Sequence, residues 1–364
     1  MTLVDVKLKW PVVLLLVCVL VACAPAHASP PPVGAMPSPV VLRTVRPSLS
    51  PFPTPTRGAT LTPAFTGTPG SAILTPSPYA QYTIDALRTR QYSGGAAQDL
   101  GIYSQNDTFA RHSFVYPSDA LNIHGFVNVP LRAGKYPVII AIHGYVDPTQ
   151  YDTLDYTTDP SDGLSSSGYF VVHPNLRNFR PSDQGDTLFR VGYAIDVLNL
   201  IAVIKQNAGK PGLFEFADAS HIGIWSHSMG GDIALRVAVV SSDVQAILLY
   251  APMSGDEQKN SQFFNVFTGN SVNQQELLAS AQDFSAISPA TYYADISAAI
   301  QLHHGTGDTV IPVAWAEETC QQLKDAGRNV ECYYYDGADH TFRSRYYEQF
   351  GPRLEDFFAK YLKN

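Results

Sequence analysis

The stretch GIWSHSMGGDIALR, Gly223 to Arg236, places two serines, Ser226 and Ser228, in a near match to the pattern G-x-S-x-G. A serine on a sharp strand-to-helix turn is held in a strained backbone that exposes its oxygen, and only small neighbours fit such a turn. Gly230 is one small neighbour, and Ser226 stands in place of the other glycine. Ser226 then reads as the last residue of the strand and Ser228 as the nucleophile. The helix opening at GGDIAL aims its N-terminal amides at the site, which favours a developing oxyanion. By itself this motif also arises by chance. A nucleophilic serine needs a base and an orienting acid, expected downstream in the order Ser, Asp, His. HGTGDTVIP supplies Asp308 in a Gly-rich loop, and GADHTF supplies His340 in a turn after the strand-like VECYYY, Val330 to Tyr335. Three loops in the right order read as a Ser-His-Asp triad. Among the competitors, Asp339 should point away from its neighbour, His227 lies inside the elbow, and His303 and His304 end the strand that presents Asp308. No pair of these has metal-ligand spacing, so neither metal nor cofactor is expected.

The elements that must position these residues alternate in kind. PVIIAIHG (Pro137 to Gly144), YFVVHP (Tyr169 to Pro174), HIGIWS (His221 to Ser226), VQAILLY (Val244 to Tyr250) and AIQLHHG (Ala299 to Gly305) are short apolar runs. Strands covered on both faces require such runs. Between them lie helical patterns around Val191 to Leu198, Ile233 to Val240 and Trp315 to Lys324. The alternation predicts an α/β fold, a mainly parallel central sheet with helices on both faces, in one domain over 79–364. RHSFVYPSDALNIHGFVNVP alternates around a turn at Pro117 to Ala120 and predicts a short antiparallel hairpin at the sheet edge. Asp308 and His340 then fall in loops at the carboxyl ends of parallel strands, where open α/β sheets bind ligands.

The chain of 364 residues has a formal net charge of -8 and no Lys/Arg run of the kind that tracks phosphates, so nucleic acid is not an expected partner. Residues 1–28 read as an export signal: Lys7 and Lys9 precede an apolar run, Pro11 to Ala22, too short to span a bilayer. LVAC, at 20–23, resembles a bacterial lipoprotein box, in which Cys23 would be lipidated and anchor the chain to a membrane. Ordinary cleavage after AHA, Ala26 to Ala28, is the competing reading, and both place the protein outside the cytoplasm. Residues 29–78 are rich in Pro, Ser and Thr and read as an extended tether, about 3.1 Å per residue. Of the four cysteines, Cys320 and Cys332 lie in the folded part. An oxidising compartment invites a disulfide between them, worth on the order of 3 kcal/mol, against the alternative of two buried thiols.

KYPVIIAIHGY, AIDVLNLI, SHSMGGDIA, HGTGDTVIP and DHTF together resemble the α/β-hydrolase superfamily, and within it the catalytic domains of the prolyl oligopeptidase family and dienelactone-hydrolase-like esterases. The resemblance covers the chain from about Arg111 to the end. It implies Ser228 as nucleophile, Asp308 as acid and His340 as general base, with the N–H groups of Met229 and Tyr145 as oxyanion donors. It implies acyl transfer in two steps through an acyl-enzyme. There are departures. Prolyl oligopeptidases often place a tyrosine before a glycine pair in the oxyanion loop, where this chain has His143 and the single Gly144. Their β-propeller, which restricts access to peptides, finds no room in these 364 residues. Ester hydrolysis is therefore favoured over peptide hydrolysis.

Substrate contacts are expected in loops at the same sheet end. YVDPTQYDTLDYT, from Tyr145, offers Tyr151 and Tyr156 either as a pocket lining or as packing within the loop. NLRNFRPSD offers Arg177 and Arg180 either as a bidentate carboxylate clamp or as ion-pair partners of Asp183 or Asp196. Residues 251–296 lie where this fold usually inserts a lid. Two functions follow: an exported serine hydrolase acting on a small ester or peptide, or a non-catalytic binding lipoprotein on a decayed hydrolase fold.

Overall fold

A computed structural model describes residues 77–269, 274–342 and 344–363. The export signal, the lipoprotein box with Cys23 and nearly all of the 29–78 tether lie outside the described residues. The chain runs through α1 (Ile84–Thr89) into three strands, β1 (Gln98–Gln105), β2 (Phe109–Ser118) and β3 (Leu121–Pro130). β4 (Tyr136–Ile142), α2 (Thr158–Ser166), β5 (Phe170–Pro174), α3 (Val191–Asn207), β6 (Ala217–His227), α4 (Met229–Val240) and β7 (Val244–Tyr250) follow. Then come α5 (Glu257–Phe267) and α6 (Ala281–Ile287), before β8 (Ala299–Gly305), α7 (Val313–Asp325), β9 (Val330–Tyr335) and α8 (Tyr347–Leu362).

The strands form one sheet in the order β1-β2-β3-β5-β4-β6-β7-β8-β9. β5, β4, β6, β7, β8 and β9 pair in parallel, whereas β1, β2 and β3 join antiparallel. Alternate residues of the central strands enter different cores. Val138, Ile140 and Ile142 pack on one face with Ile233 and Leu235 of α4 and Val197 and Ile201 of α3. Ile139 and Ala141 pack on the other with Leu164 of α2 and Phe350, Phe357 and Phe358 of α8. Two covered faces account for the unbroken Val/Ile runs.

The hairpin expected around Pro117 to Ala120 is β2–β3, closed by Asp119 and Ala120 with Ser118 opposite Leu121. It is not the sheet edge. β1 lies outside it, every residue exposed, so QDLGIYSQ carries none of the apolar pattern that marks a strand. A strand paired on one side and wet on both faces is held by its ladder rather than by burial.

The segment that carries α5 is fastened by buried charge. Arg190, at the start of α3, and Arg236 of α4 both bind Glu257 of α5. Arg190 also faces Asp232 and Glu276, each at 3.5 Å, and Glu276 accepts hydrogen bonds from Ser261 Oγ (2.7 Å) and the Phe189 N–H (2.6 Å). Removing one member would leave its partners buried and uncompensated. Elsewhere a disulfide joins Cys320 of α7 to Cys332 of β9, Cα to Cα 6.4 Å, and ties together the elements that flank the Asp308 and His340 loops.

Candidate active site

β6 continues through His227, one residue beyond the expected end at Ser226, and Ser228 follows with φ 55° and ψ −117°. That left-handed conformation is costly for a residue with a Cβ and persists only where neighbours impose it. Here the Ser228 N–H donates to the Tyr250 carbonyl (3.0 Å), while its carbonyl accepts from the N–H groups of Gly231 (2.9 Å) and Met253 (3.0 Å). Ser226 is buried, its Oγ donating to the Leu248 carbonyl at 2.8 Å. Its hydroxyl is thus satisfied inside the sheet, which explains how serine replaces glycine there. Gly230 cannot be replaced so easily: a Cβ would lie 2.6 Å from the Ile142 carbonyl oxygen.

The loop after β4 presses against the elbow. A Cβ on Gly144 would meet Ser228 Cβ at 2.9 Å and the Tyr156 hydroxyl at 2.2 Å. The N–H groups of Tyr145 and Met229 find no hydrogen-bond acceptor among the described residues. Both therefore remain available to a ligand beside Ser228.

The side chain of Asp308, in the loop after β8, is buried. Its Oδ1 accepts from the N–H groups of Val310 (2.8 Å) and Ile311 (2.9 Å), and its Oδ2 faces His340 Nδ1 at 2.7 Å and His304 Nε2 at 3.2 Å. Burial would raise its carboxyl, but the hydrogen bonds from His304, His340 and the Ile311 N–H prevail and hold it well below the usual carboxylate range. With Nδ1 turned to the carboxylate, His340 has Nε2 left to act as a base. Asp339 does not compete; its Oδ1 caps the Thr341 N–H at 3.4 Å within its own turn.

His340 packs on His227, the residue before Ser228. The His227 and His340 rings lie 4.7 Å apart, and His227 Nε2 meets the His340 carbonyl oxygen at 2.9 Å. A carbonyl only accepts, so Nε2 carries the proton and Nδ1 accepts from the Tyr156 hydroxyl at 2.6 Å. Burial, with the adjacent His340, pushes the His227 ring down to about 3, so it stays neutral. Tyr156 and His227 thus connect the oxyanion-side loop to the loop of the candidate base. The sequence reading did not assign them these roles, nor did it pair His304 with Asp308; the i, i+4 spacing in HHGTGD was the available signal.

Of the residues considered for the substrate loop, three turn inward, and for Tyr151 and Arg177 the packing and ion-pair alternatives are the ones seen. His143 is buried, with its nitrogens against the carbonyls of Gly144 (2.6 Å) and Asn175 (2.8 Å). Tyr151 is buried with its hydroxyl on His173 Nε2 (2.8 Å), and Arg177 is buried against Asp196 (2.8 Å). Each is buried among protein partners, which is why it packs the loop. Arg180 is exposed, and among the described residues it forms no ion pair. The described residues hold no group of three or more His, Cys, Asp or Glu arranged to bind a metal.

Models of two families match overlapping halves of this architecture: the prolyl oligopeptidase family over residues 208–364 and chlorophyllase over residues 106–276. No curated protein sequence matches the chain significantly. Among solved structures, acetyl xylan esterase 1 from Thermoanaerobacterium sp. JW/SL YS485 superposes with a TM-score of 0.57 at 16% identity, covering 78% of this chain and 94% of that one. Uncomplexed acylaminoacyl peptidase from Pyrococcus horikoshii gives 0.56 at 22% identity, covering 71% and 43%. An acetyl xylan esterase from Paenibacillus sp. R4 gives 0.54 at 18%, covering 77% and 92%. The chain thus spans most of the esterases' length and less than half of the peptidase's. Sheet order, elbow and family matches agree: the chain belongs to the α/β-hydrolase superfamily and is a serine hydrolase.

Proposed function

We propose that the protein is an exported esterase in which Ser228, His340 and Asp308 act as nucleophile, general base and orienting acid. The observation that carries this reading is the 2.7 Å bond from His340 Nδ1 to the ionised Asp308 carboxylate, with His340 packed on His227 and the next residue, Ser228, in the elbow conformation. His340 Nε2 takes the Ser228 proton as Oγ attacks the ester carbonyl. The oxyanion is received by the N–H groups of Met229 and Tyr145, each worth about 10² to 10³ in rate. His340 then returns the proton to the leaving alcohol. A water deprotonated by the same nitrogen releases the acid and frees Ser228. Asp308 holds the ring in the required tautomer and stabilises its cation.

The preference for esters draws on the coverage of whole acetyl xylan esterases against under half of an acylaminoacyl peptidase, and on the single glycine after His143. Export, with lipidation at Cys23, rests on the apolar run and cysteine box of residues 1–28. Parallel assays of p-nitrophenyl esters and aminoacyl anilides test the chemistry. The esters should show the higher kcat/KM; a preference for the anilides would favour a prolyl-oligopeptidase-type peptidase.

A further inference from the structure

A strip of aromatic rings begins one residue from the backbone that touches Ser228. Tyr145 follows Gly144, and its ring meets Phe264 at 5.4 Å and Phe267 at 6.0 Å, both on α5. Phe267 stacks on Phe263 at 5.2 Å, and Phe263 meets Trp315 of α7 at 5.8 Å. The strip therefore crosses from the oxyanion-side loop over α5 to the helix that follows the Asp308 loop. Its inner member, Phe264, is buried and lies over Arg190, so the buried ion cluster that fastens α5 also fixes the strip. Its outer part is wet: Phe267 is 52% exposed and the adjoining Val266 76%. Aromatic surface left exposed beside a nucleophile costs stability unless something apolar covers it in use.

Which part of a substrate would lie there follows from the other rings. Ring contacts join His340 to His227, and His227 to Tyr250, which packs on Phe342, a group separate from the strip. His340 must reach the leaving alcohol, so the alcohol lies on that side. The carbonyl substituent is left for the side of Tyr145, the residue whose N–H faces the carbonyl oxygen.

We propose that Tyr145, Phe263, Phe267 and Trp315 bind the acyl chain of the substrate, and that the preferred substrates are esters of apolar acids with medium-length or aromatic acyl groups rather than acetyl esters. This rests on the esterase reading of Ser228.

The test compares kcat/KM for p-nitrophenyl acetate, butyrate, hexanoate and octanoate. Each methylene laid on the strip should raise the wild-type value about 3- to 4-fold until the strip is filled. In Phe267→Ala the octanoate-to-acetate ratio should fall about tenfold or more, and in Phe267→Leu it should recover in part. Phe267 is half exposed, so both variants should fold, as thermal melting would show. A wild-type ratio at or below one, or a ratio unmoved by Phe267→Ala, overturns the proposal while leaving the esterase reading intact if acetate is still hydrolysed and a fluorophosphonate still reacts. Loss of both ester turnover and fluorophosphonate reaction in the wild type overturns the esterase reading, and this proposal with it.

Discussion

Asp308 carries three hydrogen bonds and a contact with His304, and they divide its work. Oδ1 caps two backbone N–H groups and fixes the loop, while Oδ2 faces two histidines. An Asp308→Asn variant keeps an oxygen for the backbone caps and turns an amide N–H toward His340, which favours the tautomer with the proton on the wrong nitrogen. Folding should be nearly preserved and turnover should drop on the order of 10⁴-fold; an unaffected rate would identify a different acid. Ser228, Asp308 and His340 could be proposed from sequence because their types, order and loop positions are constrained together. His304 and Tyr156 were not, because their roles depend on which way a side chain points from a strand end or a loop. The same limit explains His143, Tyr151 and Arg177, where sequence placed the right loop and packing turned each side chain inward.

At the scale of elements, the buried parallel strands were readable from their apolar runs, since being covered on two faces leaves a compositional mark. β1 left none, and the fastening of α5 is carried by charged residues dispersed from Arg190 to Glu276, invisible to a search for apolar periodicity. The strand ends hold another feature: His143 just after β4, His173 in β5, His227 in β6 and His303 in β8 are all buried. Burial is the first cause that lowers each ring from its ordinary value of 6.5, to about 3 for His227 and His303. The unfolded chain therefore binds protons near pH 6.5 that the folded chain refuses, at His227 and His303 until about pH 3. Their stabilising contribution is complete above pH 6.5 and falls as the pH drops through that window, on the order of 1 kcal/mol per pH unit for each histidine so held. Melting temperatures measured from pH 7.5 to 4 should decline steadily, and less steeply in His303→Gln than in wild type. A flat profile would mean that these rings titrate normally in the fold.

For the whole molecule, a mainly parallel sheet with helices on both faces brings loops far apart in sequence to one end. The loops that hold Gly144, Ser228, Asp308 and His340 follow β4, β6, β8 and β9, which all run in the same direction. That architecture was legible from the alternation of runs, and the family matches over 208–364 and 106–276 divide along the same chain. Sheet order was not legible, because strand composition says that a strand is buried and not which neighbours bury it. The central claim is that this convergence makes Ser228 a nucleophile, and it is tested most directly by intact mass after treatment with a fluorophosphonate. The wild type should gain one adduct per chain, mapped by peptide digestion to Ser228, and Ser228→Ala should gain none. A wild type that remains unmodified, or a Ser228→Ala variant labelled as well as wild type, would contradict it.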